Sequence, residues 1–212
     1  MKLLDLSHEI SEETIVYPNT PQPKLINAMT FEEHGYREKM LSIGSHTSTH
    51  IDAPAHILKD GLTLDKLPLA AFYGRATVVD VSGRIGSDGF DFQNWVQLKN
   101  LGKIDFLLFH TGWDMKWNSS AYVASFPFLS IRLAQEIVQQ GFRGVGIDTI
   151  SIDAINSEEL PAHNILLASN ILIMENLCRL EPLIGTVFDL AAFPLKIRDG
   201  DGCPVRAVAF IE

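Results

Sequence analysis

The segment Ser45-His46-Thr47-Ser48-Thr49-His50-Ile51-Asp52-Ala53-Pro54-Ala55-His56 holds three of the chain's seven histidines, and a carboxylate two residues after the second of them. Imidazole nitrogen and carboxylate oxygen form the usual ligand set for a divalent ion in hydrolytic chemistry. A straight strand advances about 3.3 Å per residue, so His46 and His50 would stand roughly 13 Å apart and share no ion. The chain must bend between them, and Gly44-Ser45 and Ser48-Thr49 are residue types that allow a bend. His50 and Asp52, two apart, can reach one ion from an extended segment. Pro54 favours extended backbone at Ala53, and a helical turn beyond it would carry His56 back toward the others. Taken singly, His46 or His56 is an ordinary solvated side chain. The spacing His-x3-His-x-Asp-x3-His, flanked by glycine and containing proline, is what points to a metal.

Working outward, Lys24 to Phe31 and Arg37 to Ile43 read as strands with a turn near His34-Gly35, the second delivering the chain into the histidine segment. Upstream, Lys2 to Ser7 is a first strand, and Tyr17-Pro18-Asn19-Thr20-Pro21-Gln22-Pro23 is a loop too rich in proline for helix or central strand. Downstream, Arg75 to Val81, Phe106 to Phe109, Gly144 to Ile147 and Ile171 to Met174 read as buried strands. Phe92 to Leu98 has helical spacing. Ser130 to Gln140 is an amphipathic helix with Ser130 as cap and Gly141 as stop, and Pro161 to Ser169 is a shorter helix. Strands and helices alternating in this way predict an α/β fold with a central, mostly buried sheet flanked by helices. Thr186 to Leu195 and Val205 to Ile211 close the chain as two strands joined through the turn Arg198-Asp199-Gly200-Asp201-Gly202. With no repeat or linker, one domain over residues 1–212 is expected.

The net charge of −9 argues against nucleic acid or an anionic membrane as partner. No stretch approaches the roughly 20 apolar residues of a membrane helix, and Met1 to Glu13 lacks the pattern of a signal peptide. The expected location is therefore cytoplasmic, with Cys178 and Cys203 as reduced, buried thiols. There is no G-x-S-x-G elbow and no G-x-G-x-x-G or phosphate loop.

Glu175 follows four apolar strand residues directly. A carboxylate left charged in a core costs several kcal/mol unless it is paired or binds a metal. Arg179, four residues on, is one possible partner. His163, twelve residues earlier, offers the other, with the pair completing a metal site.

His46-Thr47-Ser48-Thr49-His50-Ile51-Asp52-Ala53-Pro54-Ala55-His56 resembles the H-x-G-T-H-x-D-x-P-x-H signature of the metal-dependent cyclase family, which includes bacterial kynurenine formamidase and isatin hydrolase. Gly146 to Asp153 resembles the family's G-x-D-x-x-S-x-D run, and His163 with Glu175-Asn176-Leu177 matches its later His and Glu-Asn-Leu. The resemblance runs from residue 5 to at least 177. It departs at Ser48, where the family has glycine; a positive φ there would cost serine about 1–2 kcal/mol.

That resemblance implies a swivelling β/β/α domain and a metal-dependent hydrolase acting on a C–N bond of a small amide, with N-formylkynurenine as first substrate. Isatin-like lactams, lactones or esters, or a metal-binding protein without catalysis, are the alternatives. It implies zinc or manganese, one ion on His46, His50 and Asp52, and a second on Asp52, His163 and Glu175. His56 is expected as general acid–base, Asp148 and Asp153 as supporting residues, and Tyr17, Phe72 and Trp113 as aromatic walls. A homodimer or higher homo-oligomer is also implied.

Overall fold

The computed structural model describes residues 1–84 and 86–211. In chain order the elements are β1 (Lys2–Asp5), β2 (Lys24–Met29), α1 (Phe31–His34), β3 (Glu38–Ser42), β4 (His50–Asp52), β5 (Tyr73–Asp80), α2 (Trp95–Lys99), β6 (Phe106–His110), α3 (Ile131–Gln140), β7 (Gly144–Ile147), α4 (Pro161–Ala168), β8 (Leu172–Glu175), β9 (Val187–Ala191), β10 (Gly202–Pro204) and β11 (Val208–Ile211). Among the described residues nine strands form one mixed sheet in the order β1-β11-β9-β5-β6-β7-β8-β4-β10, while β2 and β3 form a separate two-stranded sheet. Its centre, β5-β6-β7-β8, is parallel. These are the continuous apolar runs of the sequence, and they need cover on both faces.

That cover comes from two sources. α3 and α4 lie over one face, where Leu133, Ala134, Ile137, Leu166 and Leu167 meet Phe109, Val145 and Ile173. α3 begins as its sequence requires: Ser130 Oγ accepts a hydrogen bond from Leu133 N at 3.0 Å, and Gly141 ends it at φ 75°. The other face is covered by the sheet itself. β10 and β11 are seven positions apart in the strand order yet only residues 205–207 separate them in sequence. That link spans at most about 14 Å, whereas seven flat steps of about 4.8 Å would need roughly 34 Å. The sheet must curl, and its concave side encloses Leu6, Ile51, Val78, Leu108, Met174, Leu190 and Ala209. Leu6 closes the curl: its N–H donates to the Ala207 carbonyl at 2.9 Å and its carbonyl accepts from Cys178 N at 3.0 Å.

The fold is thus the expected α/β class, with helices on one face and self-closure on the other. Two local expectations change. α2 is shorter than the spacing over 92–98 suggests. The segment after β9 is more than a turn, because Gly202–Pro204 pairs antiparallel with β4, setting Gly202 opposite Asp52.

Candidate metal centre

β4 is three residues long and wholly buried. Alternation sends Ile51 into the concave core and leaves His50 and Asp52 together on the opposite side. The register with β8 sets His50 directly across from Glu175 and Ile51 across from Met174, so Glu175 joins them. α4 packs on this same face and contributes His163 from its first turn. His46 arrives from the loop before β4. Strand pairing, and not proximity in sequence, assembles the second half of the site.

Asp52 sits at the centre with no solvent exposure. Its Oδ1 lies 2.7 Å from His46 Nδ1 and 3.3 Å from His50 Nε2. Oδ2 has no hydrogen-bond partner among the described residues and faces His163 Nε2 at 3.7 Å. Glu175 lies 3.5 Å from His50 Nε2 and 3.3 Å from His163 Nε2. Donor atoms of His46, His50 and Asp52 fall within 4.8 Å of one another, as do those of Asp52, His163 and Glu175. The alternative partner for Glu175 fails, since Arg179 pairs with Asp5 at 3.7 Å instead.

Each of the three histidines has its other nitrogen tied down. His46 Nε2 lies 2.9 Å from Asp201 Oδ2, His50 Nδ1 2.8 Å from the Ser48 carbonyl, and His163 Nδ1 2.7 Å from Asp153 Oδ2. Such partners fix tautomer and ring orientation in metal-binding histidines. Asp153 also accepts from the backbone N–H groups of Ala162 and His163. Asp148 instead accepts from Thr111 and Gly112 and supports a neighbouring loop.

The electrostatics call for cations. Burial alone would lower the imidazoles, yet the charge of Asp52 and hydrogen bonds to Asp52 and Asp201 bring His46 to about 9. His50 and His163 reach about 10 against the same burial, through Asp52, Asp153 and Glu175. Two buried carboxylates thus draw protons onto every nearby imidazole except one. His56 is pushed down, first by burial, then with Asp52 opposing and the neighbouring His46 and His163 reinforcing. It is the neutral imidazole of the group. An unpartnered buried carboxylate oxygen, oriented nitrogens and excess negative charge all fit a divalent ion.

Ser48 has φ 59°, the left-handed conformation that the family glycine adopts freely. Its carbonyl accepts from both His50 Nδ1 and Asn176 Nδ2, each at 2.8 Å. Asn176 in turn accepts from the fully buried Tyr122 hydroxyl at 2.9 Å.

Residues 4–154 match the Cyclase family model, described as "Putative cyclase". The chain belongs to that family. Kynurenine formamidase of Salinibacter ruber (strain DSM 13855 / M31) is 32% identical over 215 residues, covering 98% of this chain and 97% of the relative. Among solved structures, isatin hydrolase A from Labrenzia aggregata is 26% identical with a TM-score of 0.85, covering 98% of this chain and 93% of that one. A predicted metal-dependent hydrolase from Bacillus stearothermophilus is 28% identical with a TM-score of 0.78, covering 98% and 97%. This member of the Cyclase family is an enzyme, a metal-dependent amide hydrolase.

Beside the centre lies a cavity of about 270 Å³, reached by His46, His50, His56, His163 and Glu175 and walled by Tyr17, Ile150 and Leu160. Of the three expected aromatic walls only Tyr17 is there, its hydroxyl fixed to the Ile155 carbonyl at 2.8 Å. Phe72 is buried in the concave core, and Trp113 packs with Tyr122 while its Nε1 donates to that residue's carbonyl. His8 is structural: it stacks on Trp117 at 3.9 Å, and burial pushes it down to about 4. His110 stays with Asp80 at the end of β6. Asp201 carried no local signal, because only the pairing of β10 with β4 brings it to His46, 155 residues away.

Proposed function

We propose that this enzyme hydrolyses the C–N bond of a small aryl formamide, with N-formylkynurenine as the first substrate to assay. The observation that carries the reading is the convergence of four donor side chains, His46, His50, His163 and Glu175, around Asp52 beside one cavity. His46, His50 and Asp52 would hold one divalent ion, zinc or manganese. Asp52, His163 and Glu175 would hold a second, with Asp52 shared. When bound, such an ion supplies a Lewis acid that polarises a carbonyl and lowers the pKa of water toward about 7.

The protein's own part centres on His56. It borders the cavity, remains neutral, and stands outside both donor sets, with its ring 5.8 Å from that of His163. Nδ1 is turned toward Asp201 at 3.6 Å, which leaves Nε2 to exchange protons. A neutral imidazole takes the proton from the attacking water and returns it to the nitrogen as the C–N bond breaks, giving a carboxylic acid and an amine. Tyr17, Ile150 and Leu160 supply an apolar wall for an aryl group. The compact cavity and the likeness to isatin hydrolase A support a lactam as second reading.

The partner implied by the exposed hairpin is a second copy of this chain, making a homodimer or higher homo-oligomer. Ile26, Met40 and Leu41 of β2 and β3 are 45%, 56% and 58% exposed, which supports burial between copies. The free, buried Cys178 and Cys203 support a reducing, cytoplasmic setting.

The decisive experiment pairs metal analysis with hydrolysis of N-formylkynurenine before and after chelation. Metal present and turnover lost on chelation is expected. Metal present with no formamidase turnover moves the assignment to lactams and lactones. A protein that binds neither zinc nor manganese on resupply overturns the reading.

A further inference from the structure

The loop before β10 looks in the sequence like a plain turn, yet it is fastened on both sides. Ala53 N donates to the Asp201 carbonyl at 2.8 Å, and Leu64 N to the Gly200 carbonyl at 2.8 Å. Asp199 N donates to Asp65 Oδ1 at 3.2 Å. Gly202 then pairs with Asp52 across the β10–β4 ladder.

The consequence is a tight holder for His46. The backbone at Gly202 lies flat against the imidazole: a Cβ there would come within 2.4 Å of His46 Cε1 and 2.9 Å of Nδ1. On another side the ring meets that of His56 at a centroid distance of 3.9 Å. Asp201 Oδ2 closes the third side, 2.9 Å from His46 Nε2. Without an ion Nδ1 donates to Asp52 Oδ1 at 2.7 Å; with Nε2–H held by Asp201, Nδ1 is the nitrogen that would give up its proton to a metal. The same oxygen stands 3.6 Å from His56 Nδ1. One carboxylate therefore faces the outer edge of a donor histidine and the rear of the proposed proton carrier.

We infer that Asp201, carried by the loop locked onto β4, is a positioning residue for the reaction, orienting His46 for the metal and His56 for proton transfer through a single carboxylate oxygen. This rests on the metal assignment above. Asp201 belongs to neither of the two donor sets assigned above and is not among the residues lining the cavity, so on that assignment its contribution passes through the two histidines. Asparagine in its place keeps the shape and can set an oxygen at the same point, but a neutral acceptor holds the two imidazole N–H groups less strongly than a carboxylate does.

The test measures zinc affinity by competition with a chelator, and in parallel kcat and KM on the loaded enzyme, for wild type, Asp201→Asn, Asp201→Ala and Asp201→Glu. Second-sphere partners of this kind alter metal affinity by about 10–100-fold. The expected result is zinc binding weaker by that factor in Asp201→Asn and Asp201→Ala, kcat at saturating zinc at least 10-fold lower, KM little changed, and partial recovery in Asp201→Glu. His50→Ala serves as control and should abolish binding outright. If wild type and the control differ as expected but the Asp201 variants bind zinc within two-fold of wild type and keep kcat, the inference is wrong and the metal assignment stands. If wild type binds no zinc or manganese, the assignment itself falls and the inference with it. A uniform loss of melting temperature in all three metal-free variants, without change in kcat at saturating zinc, would reduce Asp201 to a fold residue and equally overturn it.

Discussion

β4 and the β2–β3 hairpin invert the usual distribution of residues in opposite ways. β4, one strand in from the edge of the sheet, places His50 and Asp52 in full burial, where buried residues are mostly apolar. The hairpin sets Leu25 across from Leu41 and Ile26 across from Met40, leaving most of these apolar side chains in the open. A buried charge costs several kcal/mol unless something of opposite charge meets it, and apolar side chains left uncovered on the hairpin forgo the main driving force of folding. On the function proposed above, each inversion answers to a ligand of a different kind, a cation for one and a second protein surface for the other. The two can be broken independently.

The largest expected effect is in β4. Asp52→Asn keeps the volume but removes the charge shared by both donor sets. Metal content should fall to background, and kcat/KM should drop by three orders of magnitude or more, on the order of 4 kcal/mol. Elemental analysis and a formamidase assay check this. His56→Ala should lose a comparable share of kcat while keeping its metal, because neither of the two donor sets assigned to the ions needs it, although its ring also comes within ligating reach of His46 and Asp201. Normal turnover in that variant would remove His56 from the mechanism.

Chelation comes next. An ion bound at a hundred times its dissociation constant adds about 2.7 kcal/mol, so its removal should lower the melting temperature by roughly 5–10 °C in a chain of this size. The loss should depend on pH. His46, His50 and His163 are raised to about 9–10 in the metal-free fold, from an ordinary 6.5. Their contribution is complete below pH 6.5 and disappears as pH rises through 9–10. Metal-free protein should therefore weaken steadily from pH 7 to 10, while metal-loaded protein, whose imidazoles hold an ion in place of protons, should not. Melting curves for both forms across that range test the difference.

How much of this was legible in the sequence follows from where each contact comes from. The first donor set lies within seven residues, so its spacing could be read directly, as could the caps of α3 at Ser130 and Gly141. On spacing alone His163 and Arg179 were equal partners for Glu175, and only the family resemblance favoured His163, because the β4–β8 register that joins Glu175 to His50 is a long-range pairing. β10 was missed altogether. Its three residues follow an Asp/Gly run with every feature of a turn, and it becomes a strand because the curled sheet offers β4 as an edge to pair with. Of the aromatic walls Tyr17 is in place and the other two are not, for a related reason: Phe72 and Trp113 satisfy the concave core and the Tyr122 cluster, and nothing local distinguishes those positions from a cavity.

The hairpin offers a smaller effect on the fold and a clear one on assembly. Replacing the cross-strand pair Ile26 and Met40 by Lys and Glu removes apolar area and leaves a favourable pair in its place. The chain should then behave as a single copy of 23.6 kDa in light scattering, with unfolding free energy changed by less than about 1 kcal/mol. A variant that keeps the wild-type mass would mean that copies meet elsewhere.

The smallest expected effect is at Ser48, where the two kinds of region differ most in what a side chain is for. Glycine at this position relieves a φ of 59° that costs serine about 1–2 kcal/mol. It also loses the hydrogen bond from Ser48 Oγ to the His8 carbonyl at 3.2 Å, worth about 1 kcal/mol, and it loosens the unfolded chain. These terms oppose one another, so Ser48→Gly should shift stability by no more than about 1 kcal/mol. Metal affinity should not move at all, because what orients His50 is the Ser48 carbonyl, shared with Asn176, and glycine retains it. Asn176→Ala removes one of the two donors to that carbonyl and should weaken metal binding where Ser48→Gly does not. In the hairpin every argued effect lies in the side chains; at this turn the backbone holds the histidine, and the side chain can be exchanged. Weaker zinc binding in Ser48→Gly than in Asn176→Ala would reverse that assignment and give the hydroxyl, with its tie to the His8 carbonyl, the orienting role.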